Sequence, residues 1–209
     1  MCRKYLFIIL MIHVFISCGS GTKVKPHQEE KHEVNFSDLK KKANELYSFS
    51  TRNNYNKDYG ILIDMSIHSG LYRGFLWNFD TDTIEDKFLV SHGCCGHGWS
   101  GDYTKTKPEF SNVPDSHCSS LGKYIVAERG WSNWGINVNY KLDGLESTNS
   151  NVRKRVIVLH SWDALSDEEV FPRGTPEGWG CPSVSNNTMR RLDTKLNDNE
   201  RVLMWMYDS

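Results

Sequence analysis

Short runs of apolar and β-branched residues, separated by polar turn sequences, dominate the chain from Gly60 onward. Such runs predict β-strands, and Ser69-Gly70 and Asp80-Thr81-Asp82 predict the turns between the first of them. The order is typical of an antiparallel meander. The predicted strands are residues 60–65, 71–79, 83–90, 122–128, 134–142, 155–160 and 201–207. The pattern therefore predicts a mainly β domain.

Two segments repeat apolar residues every three or four positions and are predicted to be short amphipathic helices. The first covers residues 36–49, with Ser37 as a candidate N-cap, and we expect it to serve packing. The second covers residues 188–196 and places Met189, Leu192 and Leu196 on one face, before the last predicted strand.

The first 18 residues have the features of a targeting segment and are set apart from the fold. Arg3 and Lys4 precede an apolar stretch, residues 5–16, that is too short to span a bilayer comfortably. Ser17 then precedes Cys18, a pattern that resembles the lipobox of bacterial lipoproteins and predicts lipidation of Cys18. A plain cleaved signal peptide is the alternative.

Lipidation implies a protein of the cell envelope that is anchored in a membrane and faces the periplasm. Gly19 and Ser20 lack the acidic residue that often marks retention at the inner membrane, which favours the outer membrane. Residues 19–35 are polar and show no apolar period, so they are predicted to be a flexible tether. Residues 36–209 form the predicted folded domain.

Composition narrows the classes of function. The chain has 209 residues, 38% of them hydrophobic, which is enough for one domain with a substantial core. Its formal net charge is −1, and the charged residues are scattered. Because there is no basic stripe, we expect no nucleic acid as a partner. No cofactor is expected either.

Four cysteines remain once Cys2 and the lipidation site are set aside, and export places them in an oxidising compartment. We expect a disulfide between Cys118 and either Cys94 or Cys95, two partners between which the sequence does not choose. The His and Cys side chains around these positions are of the kinds that bind zinc. Adjacent cysteines and a long gap match no zinc-finger or ribbon spacing, so we predict no metal site.

The fourth of these cysteines lies in a loop with the features of a nucleophile site. Cys181 follows Gly178-Trp179-Gly180, and an upstream predicted strand ends on His160. A thiol with a pKa of about 8.5 is only partly ionised at neutral pH, so a histidine that takes its proton raises the thiolate fraction. We predict that Cys181 and His160 form a catalytic pair, and that Gly180 lets the backbone approach the reacting group.

Several short motifs follow one another along the chain: Ser91-His92-Gly93, Phe110-Ser111-Asn112, Ser119-Ser120-Leu121-Gly122, Leu142-Asp143-Gly144-Leu145, the run from Arg155 to Ser161, and Trp179-Gly180-Cys181-Pro182. Their order is the one seen in murein L,D-transpeptidase catalytic domains. Over roughly residues 59–206 the chain resembles the YkuD-like superfamily, in particular its branch with Trp-Gly-Cys-Pro at the nucleophile. Three positions depart from the superfamily pattern: Gly178 replaces a usual Ser or Thr, Trp179 replaces a frequent His, and Ser183 replaces a common Asn or Arg.

The resemblance implies a sandwich-like, β-rich domain with a few short helices that acts on peptidoglycan stem peptides. Cys181 would attack a tetrapeptide stem, release D-alanine and pass the acyl group from a thioester to an amine. His160 would act as the base, with the backbone carbonyl of Ser161 orienting its ring. N–H groups near Gly180 would stabilise the oxyanion, and Trp179 would shape the substrate cleft.

Two alternative functions remain open. With water as the acceptor, the same thiol would act as an L,D-carboxypeptidase. If Cys181 were part of a disulfide instead, the protein would be a non-catalytic lipoprotein that binds the cell wall. The number of free thiols therefore distinguishes the enzyme from the wall-binding protein.

Overall fold

The computed structural model describes residues 34–96, 108–197 and 201–209, which form one eight-stranded sheet and two helices. The predicted lipidation site Cys18 and residues 19–33 of the predicted tether lie outside the described residues. The sheet curls into a nearly closed, sandwich-like barrel, so the prediction of a mainly β domain is confirmed. Within the described ranges, no helix has the length and apolar character needed to cross a membrane.

Strand order places the last strand of the sequence in the middle of the sheet. The order is β3-β2-β1-β8-β4-β5-β6-β7. Most neighbours are antiparallel, as a meander predicts, but β1 pairs with β8 in parallel and β6 pairs with β7 in parallel. The strands are β1 (Tyr59–Asp64), β2 (Gly74–Asn78), β3 (Thr83–Phe88), β4 (Gly122–Trp131), β5 (Val138–Gly144), β6 (Val158–Ser161), β7 (Ser183–Val184) and β8 (Leu203–Tyr207).

The central strands are apolar on both faces because two hydrophobic cores lie on either side of the sheet. In β1, Ile61 and Ile63 face one core and Leu62 faces the other, as the two-residue period of a strand requires. In β8, Met204 joins the first core and Leu203 the second. All five side chains are buried, so both strands are held by packing from two directions.

Helix α1 (Phe36–Asn53) covers the second core. Asn35 caps it, because the side-chain oxygen of Asn35 accepts a hydrogen bond of 3.0 Å from the N–H of Ser37. The prediction of Ser37 as the N-cap is therefore wrong, and the helix continues past residue 49 to Asn53. Its buried residues follow the expected spacing and are Leu39, Ala43, Leu46 and Ser50.

Helix α2 (Asn186–Leu196) packs Met189, Leu192 and Leu196 into the first core, and begins two residues before the predicted start at 188. Ser185 is its N-cap, with Oγ accepting a hydrogen bond of 3.1 Å from the N–H of Thr188. Ser185 also directly follows β7. The start of α2 therefore helps to fix where β7 ends.

Strands β2, β5, β6 and β8 begin later than their apolar runs predict, and the backbone explains this for β5 and β6. Residues 134–137 form a turn, closed by a 3.1 Å hydrogen bond from the N–H of Asn137 to the carbonyl of Trp134, and β5 starts only at Val138. Likewise, residues 155–157 precede β6 and are not part of it. Asn137 and Val156 have φ angles of 61° and 58°. Such left-handed backbone ends an extended run, and hydrophobicity does not reveal it.

Candidate active site

The candidate site forms where β6 meets β7. Their parallel pairing puts His160 opposite Ser183 and Ser161 opposite Val184. Continued by two residues, the same register puts Cys181 beside Val158. Because side chains two residues apart share one face of a strand, Cys181 and Ser183 face the same way as His160. The structure thus brings the predicted nucleophile and base onto adjacent segments.

Cys181 and His160 line one cavity of about 660 Å³. Pockets that bind small molecules usually have volumes of roughly 300–1,000 Å³, so this cavity is large enough for a small ligand. The other residues that line it are Cys94, Gly96, His117, Trp134, Trp162, Gly178, Trp179 and Ser183.

Both ring nitrogens of His160 are hydrogen-bonded, and the partners fix its tautomer. Nδ1 lies 2.9 Å from the carbonyl oxygen of Ser161, which can only accept, so Nδ1 carries the proton. Nε2 lies 2.9 Å from Oγ of Ser183 and therefore accepts from that hydroxyl. Burial lowers the pKa of His160, and the Ser161 bond offsets part of that change. At neutral pH the imidazole is uncharged and can take up a proton at Nε2.

The thiol of Cys181 is half-buried and points toward the backbone that leads into β6. Sγ accepts a hydrogen bond from the N–H of Val158 at 3.4 Å and lies 4.0 Å from the carbonyl oxygen of Val156. Burial raises the pKa of the thiol, while the Val158 N–H and the charge of Arg155 lower it by less. In the resting site the thiol therefore keeps its proton, and its hydrogen bonds go to backbone.

Gly180 allows the loop before the nucleophile to pass close to Cys118. Its φ angle is 99°, which L side chains rarely adopt, and an added Cβ would lie 2.4 Å from the carbonyl oxygen of Cys118. Gly178, two residues before Gly180, is bonded to the segment 92–94. Its N–H donates to the carbonyl of His92 at 2.8 Å, and its carbonyl accepts from the N–H of Cys94 at 2.9 Å. Backbone bonds thus orient the loop although Gly178 has no side chain.

Cys118 is joined to Cys95 by a disulfide, which selects one of the two predicted partners. In the part of the chain that the structure describes, Cys94 and Cys181 are the free cysteines, so the Cys181 disulfide required by the wall-binding alternative is not formed there. Arg155 donates through Nη2 to the carbonyl of Cys118 at 2.6 Å. This contact holds the disulfide-bonded loop against the segment that precedes β6.

A buried chain of three side chains supports the nucleophile loop from behind. The guanidinium of Arg73 donates through Nη2 to Nδ1 of His92 at 2.9 Å, and Nε2 of His92 lies 3.4 Å from Oε1 of Glu177. Because arginine can only donate, Nδ1 of His92 is an acceptor and its proton is on Nε2, facing Glu177. All three side chains are at most 7% exposed.

Arg73 is held on its other side by backbone. Its Nε and Nη2 donate to the carbonyl of Val90 at 2.9 and 2.7 Å. Burial lowers the pKa of Arg73 to about 9, with the charge of Asp64 opposing that change, so the guanidinium is still charged at neutral pH. A buried cation needs a nearby anion, and the charge of Asp64 supplies part of that compensation.

Two aromatic pairs flank the cavity. Trp179 is 65% exposed and stacks on His117 with ring centroids 4.9 Å apart, and Trp134 meets Trp162 edge-on at 6.1 Å. Exposed aromatic groups next to a cavity are typical of binding sites. Tyr124, by contrast, is buried in the first core, and its hydroxyl donates to the carbonyl of Ser120.

Among the described residues, no group of three or more His, Cys, Asp or Glu side chains is arranged to hold a metal ion. His97, which belongs to the glycine-rich segment considered for zinc, lies outside those residues.

Sequence reasoning missed several residues that shape the site: Arg73, Glu177, Arg155 and the hydroxyl of Ser183. Arg73 carried a signal, because it is a charged residue inside an otherwise apolar predicted strand. Ser183 was noted only as a departure from a family pattern. Its contact with His160 follows from the parallel register of β6 and β7, which short-range sequence patterns do not encode.

In a comparison with known protein families, residues 30–205 match the family described as YkuD_2: L,D-transpeptidase catalytic domain. No curated protein sequence matches the chain significantly.

Three similar solved structures share 11% sequence identity with the chain. The L,D-transpeptidase of Xylanimonas cellulosilytica has a TM-score of 0.39 over 77% of this chain and 68% of that one. The helical cell shape determining protein Pgp2 of Campylobacter jejuni has a TM-score of 0.46 over 78% and 55%. The Ldtfm-avibactam carbamoyl enzyme has a TM-score of 0.43 over 74% and 50%. The chain thus spans about half the length of the last two proteins.

The buried side chains of Arg73 and Glu177 should be energetically coupled through His92. We expect Arg73→Met and Glu177→Gln each to lower the free energy of unfolding by about 1–3 kcal/mol, because each leaves a buried polar group without its partner. The loss of unfolding free energy in the double variant should be smaller than the sum of the two single losses, by at least about 1 kcal/mol. The free energies of unfolding of the wild type, the two single variants and the double variant are measured by urea unfolding, followed by circular dichroism.

The matched control is the surface ion pair between Arg191 and Asp86 (2.7 Å). Its own cycle, with Arg191→Met and Asp86→Asn, should give a coupling of only about 0–1 kcal/mol. Additive losses at Arg73 and Glu177 would contradict the coupling through His92.

Stability should fall in acid partly because of His160. Its pKa is lower in the folded protein than in the unfolded chain, so above a pH of about 6.5 the imidazole is neutral in both states. As the pH falls through that value and then through the lower folded pKa, the unfolded chain binds the proton more readily and stability is lost. We expect the free energy of unfolding to drop less between pH 7 and pH 5 in His160→Gln than in the wild type. The free energies are measured by urea unfolding at each pH, and an equal drop in the two proteins would contradict this assignment.

Proposed function

Because this chain belongs to the L,D-transpeptidase catalytic domain family, we propose that it is a cysteine-dependent peptidoglycan L,D-transpeptidase. One observation carries the proposal: Cys181 and His160 line the same cavity, and the carbonyl of Ser161 holds the imidazole in the tautomer that accepts a proton at Nε2. The substrate is a tetrapeptide stem that ends in D-alanine.

In the first half-reaction Cys181 loses its proton, and the thiolate attacks the carbonyl at the L-centre of the diamino acid that precedes D-alanine. His160 takes up the proton at Nε2 and returns it to the nitrogen of the leaving D-alanine. A thioester between the stem and Cys181 remains. The base needs no carboxylate partner, because the Ser161 carbonyl already orients its ring.

Backbone N–H groups of Gly180 and Cys181 are the proposed donors to the oxyanion of the tetrahedral intermediate. The φ angle of 99° at Gly180 turns the chain directly before the thiol, which supports this assignment. Each such donor typically contributes about 2.7 to 4 kcal/mol of transition-state stabilisation.

In the second half-reaction an amine attacks the thioester. When the amine is the side chain of the diamino acid in another stem, the product is a cross-link between two third residues. Trp162 and Trp179 line the cavity and help to exclude water, which favours the amine. When water attacks instead, the same site is an L,D-carboxypeptidase.

The acyl-enzyme is the direct test. The full chain in detergent is mixed with a disaccharide tetrapeptide and examined by intact mass spectrometry. We expect a mass increase equal to the substrate minus D-alanine, located on Cys181 and not on the free thiol of Cys94 by peptide mapping. The adduct should be absent in Cys181→Ala and form at least tenfold more slowly in His160→Gln, because the base is lost.

A second stem peptide then separates the two enzyme functions. Transfer of the adduct to the added stem identifies a transpeptidase, and release of a tripeptide identifies a carboxypeptidase. Failure to form an adduct or release D-alanine, together with an unreactive Cys181, would leave only the wall-binding alternative.

For the location we propose a lipoprotein of the cell envelope, anchored through Cys18 and facing the periplasm. Support comes from the order of charge, apolar stretch and Ser17-Cys18 in the sequence. Cells fed a labelled fatty acid should incorporate it into the protein, and Cys18→Ala should abolish the label. No label in the wild type would favour a plain cleaved signal peptide, and equal labelling of the variant would rule out Cys18 as the lipidation site.

A further inference from the structure

The register between β6 and β7 aligns the base with Ser183 and not with Cys181. His160 pairs with Ser183, while the thiol accepts its hydrogen bond from Val158, two residues earlier on the same strand. Two residues of β-strand span about 6.6 Å. Along β6, the thiol therefore lies beside the residue two positions before the base.

The hydroxyl of Ser183 occupies the position from which a proton reaches the base. Because Nδ1–H of His160 donates to the Ser161 carbonyl, Nε2 carries no proton. The hydroxyl of Ser183 must therefore donate to Nε2 across 2.9 Å. A hydroxyl that donates one proton keeps two acceptor lone pairs. Ser183 shares one face with Cys181, two residues before it. In the resting structure the thiol is hydrogen-bonded to the backbone at Val158 and Val156, so it must rotate toward Ser183 before a proton can pass.

Ser183 is held firmly in this position. Its N–H donates to Oγ of Ser91 at 3.2 Å, and its carbonyl accepts from the N–H of Ser91 at 2.9 Å. The side chain is 2% exposed, so bulk water does not compete for the hydroxyl. A buried hydroxyl fixed at the proton-accepting nitrogen is suited to passing a proton onward.

We propose that Ser183 relays the proton of Cys181 to His160, so that the thiol and the imidazole communicate through its hydroxyl. This inference rests on the proposed function for the roles of thiol and base. The S–H bond of Cys181 breaks and its proton binds Oγ of Ser183, while the original hydroxyl proton of Ser183 passes to Nε2 of His160. The products are a thiolate, an intact serine hydroxyl that now donates to it, and an imidazolium.

Alkylation of Cys181 by iodoacetamide tests the relay without any peptide substrate. The full chain in detergent is alkylated from pH 5 to pH 10, and modification of Cys181 is followed by peptide mapping. A thiolate and imidazolium formed through the relay give a shoulder of reactivity below the main thiol titration. Loss of the relay removes that shoulder.

We expect Ser183→Ala and His160→Gln each to lower the alkylation rate at pH 7 at least tenfold, and the double variant to lower it no further. Ser183→Thr, which keeps a hydroxyl, should retain the shoulder, whereas Ser183→Val, which has the same shape without it, should not. This matched pair also decides the question if the alanine variant does not fold.

The relay is overturned if Ser183→Ala keeps the shoulder, if the Thr and Val variants behave alike, or if the losses from Ser183→Ala and His160→Gln multiply. None of these results depends on a stem peptide being the substrate. An intact relay in a protein that forms no acyl-enzyme would therefore refute the proposed function alone.

Discussion

A buried guanidinium is the constraint on which the rest of the site depends. Arg73 lies directly before β2 and is linked to Glu177 across the imidazole of His92. Glu177 begins the loop that carries Cys181, and the carbonyl of His92 accepts a hydrogen bond from that loop. Breaking this buried polar chain would leave a buried cation and its partners unsatisfied, so these segments keep one relative position. The position of the Cys181 thiol therefore depends on the buried guanidinium of Arg73, which does not line the cavity.

The chemistry at the front of the site begins from neutral groups. Burial raises the pKa of Cys181 and lowers that of His160, so both changes oppose charge separation in the resting protein. Hydrogen bonds compensate in part: Val158 favours the thiolate, and the Ser161 carbonyl favours the imidazolium. A charged pair of thiolate and imidazolium is therefore disfavoured in the resting protein.

Local patterns predicted most elements of the fold, and failed where geometry between distant segments decides the outcome. The alternation of β1 and the helical spacing of α1 were readable because each reflects a period set by the backbone itself. The parallel pairings of β8 with β1 and of β7 with β6 were not readable, because the sequence of a strand does not identify the strand that it pairs with. Cys181 and His160 were predicted from their surroundings in sequence. Cys95 as the partner of Cys118, and the contact between Ser183 and His160, depend on how loops and strands meet in space.

The position of β8 has a consequence for the order in which the fold can assemble. This strand follows every other strand in the sequence, yet it joins β1–β3 on one side to β4–β7 on the other. During synthesis on the ribosome, the two halves of the sheet therefore have no central strand until β8 has emerged. Pairings over such long sequence distances also form slowly. The complete sheet therefore forms only after the last strand of the chain has been made.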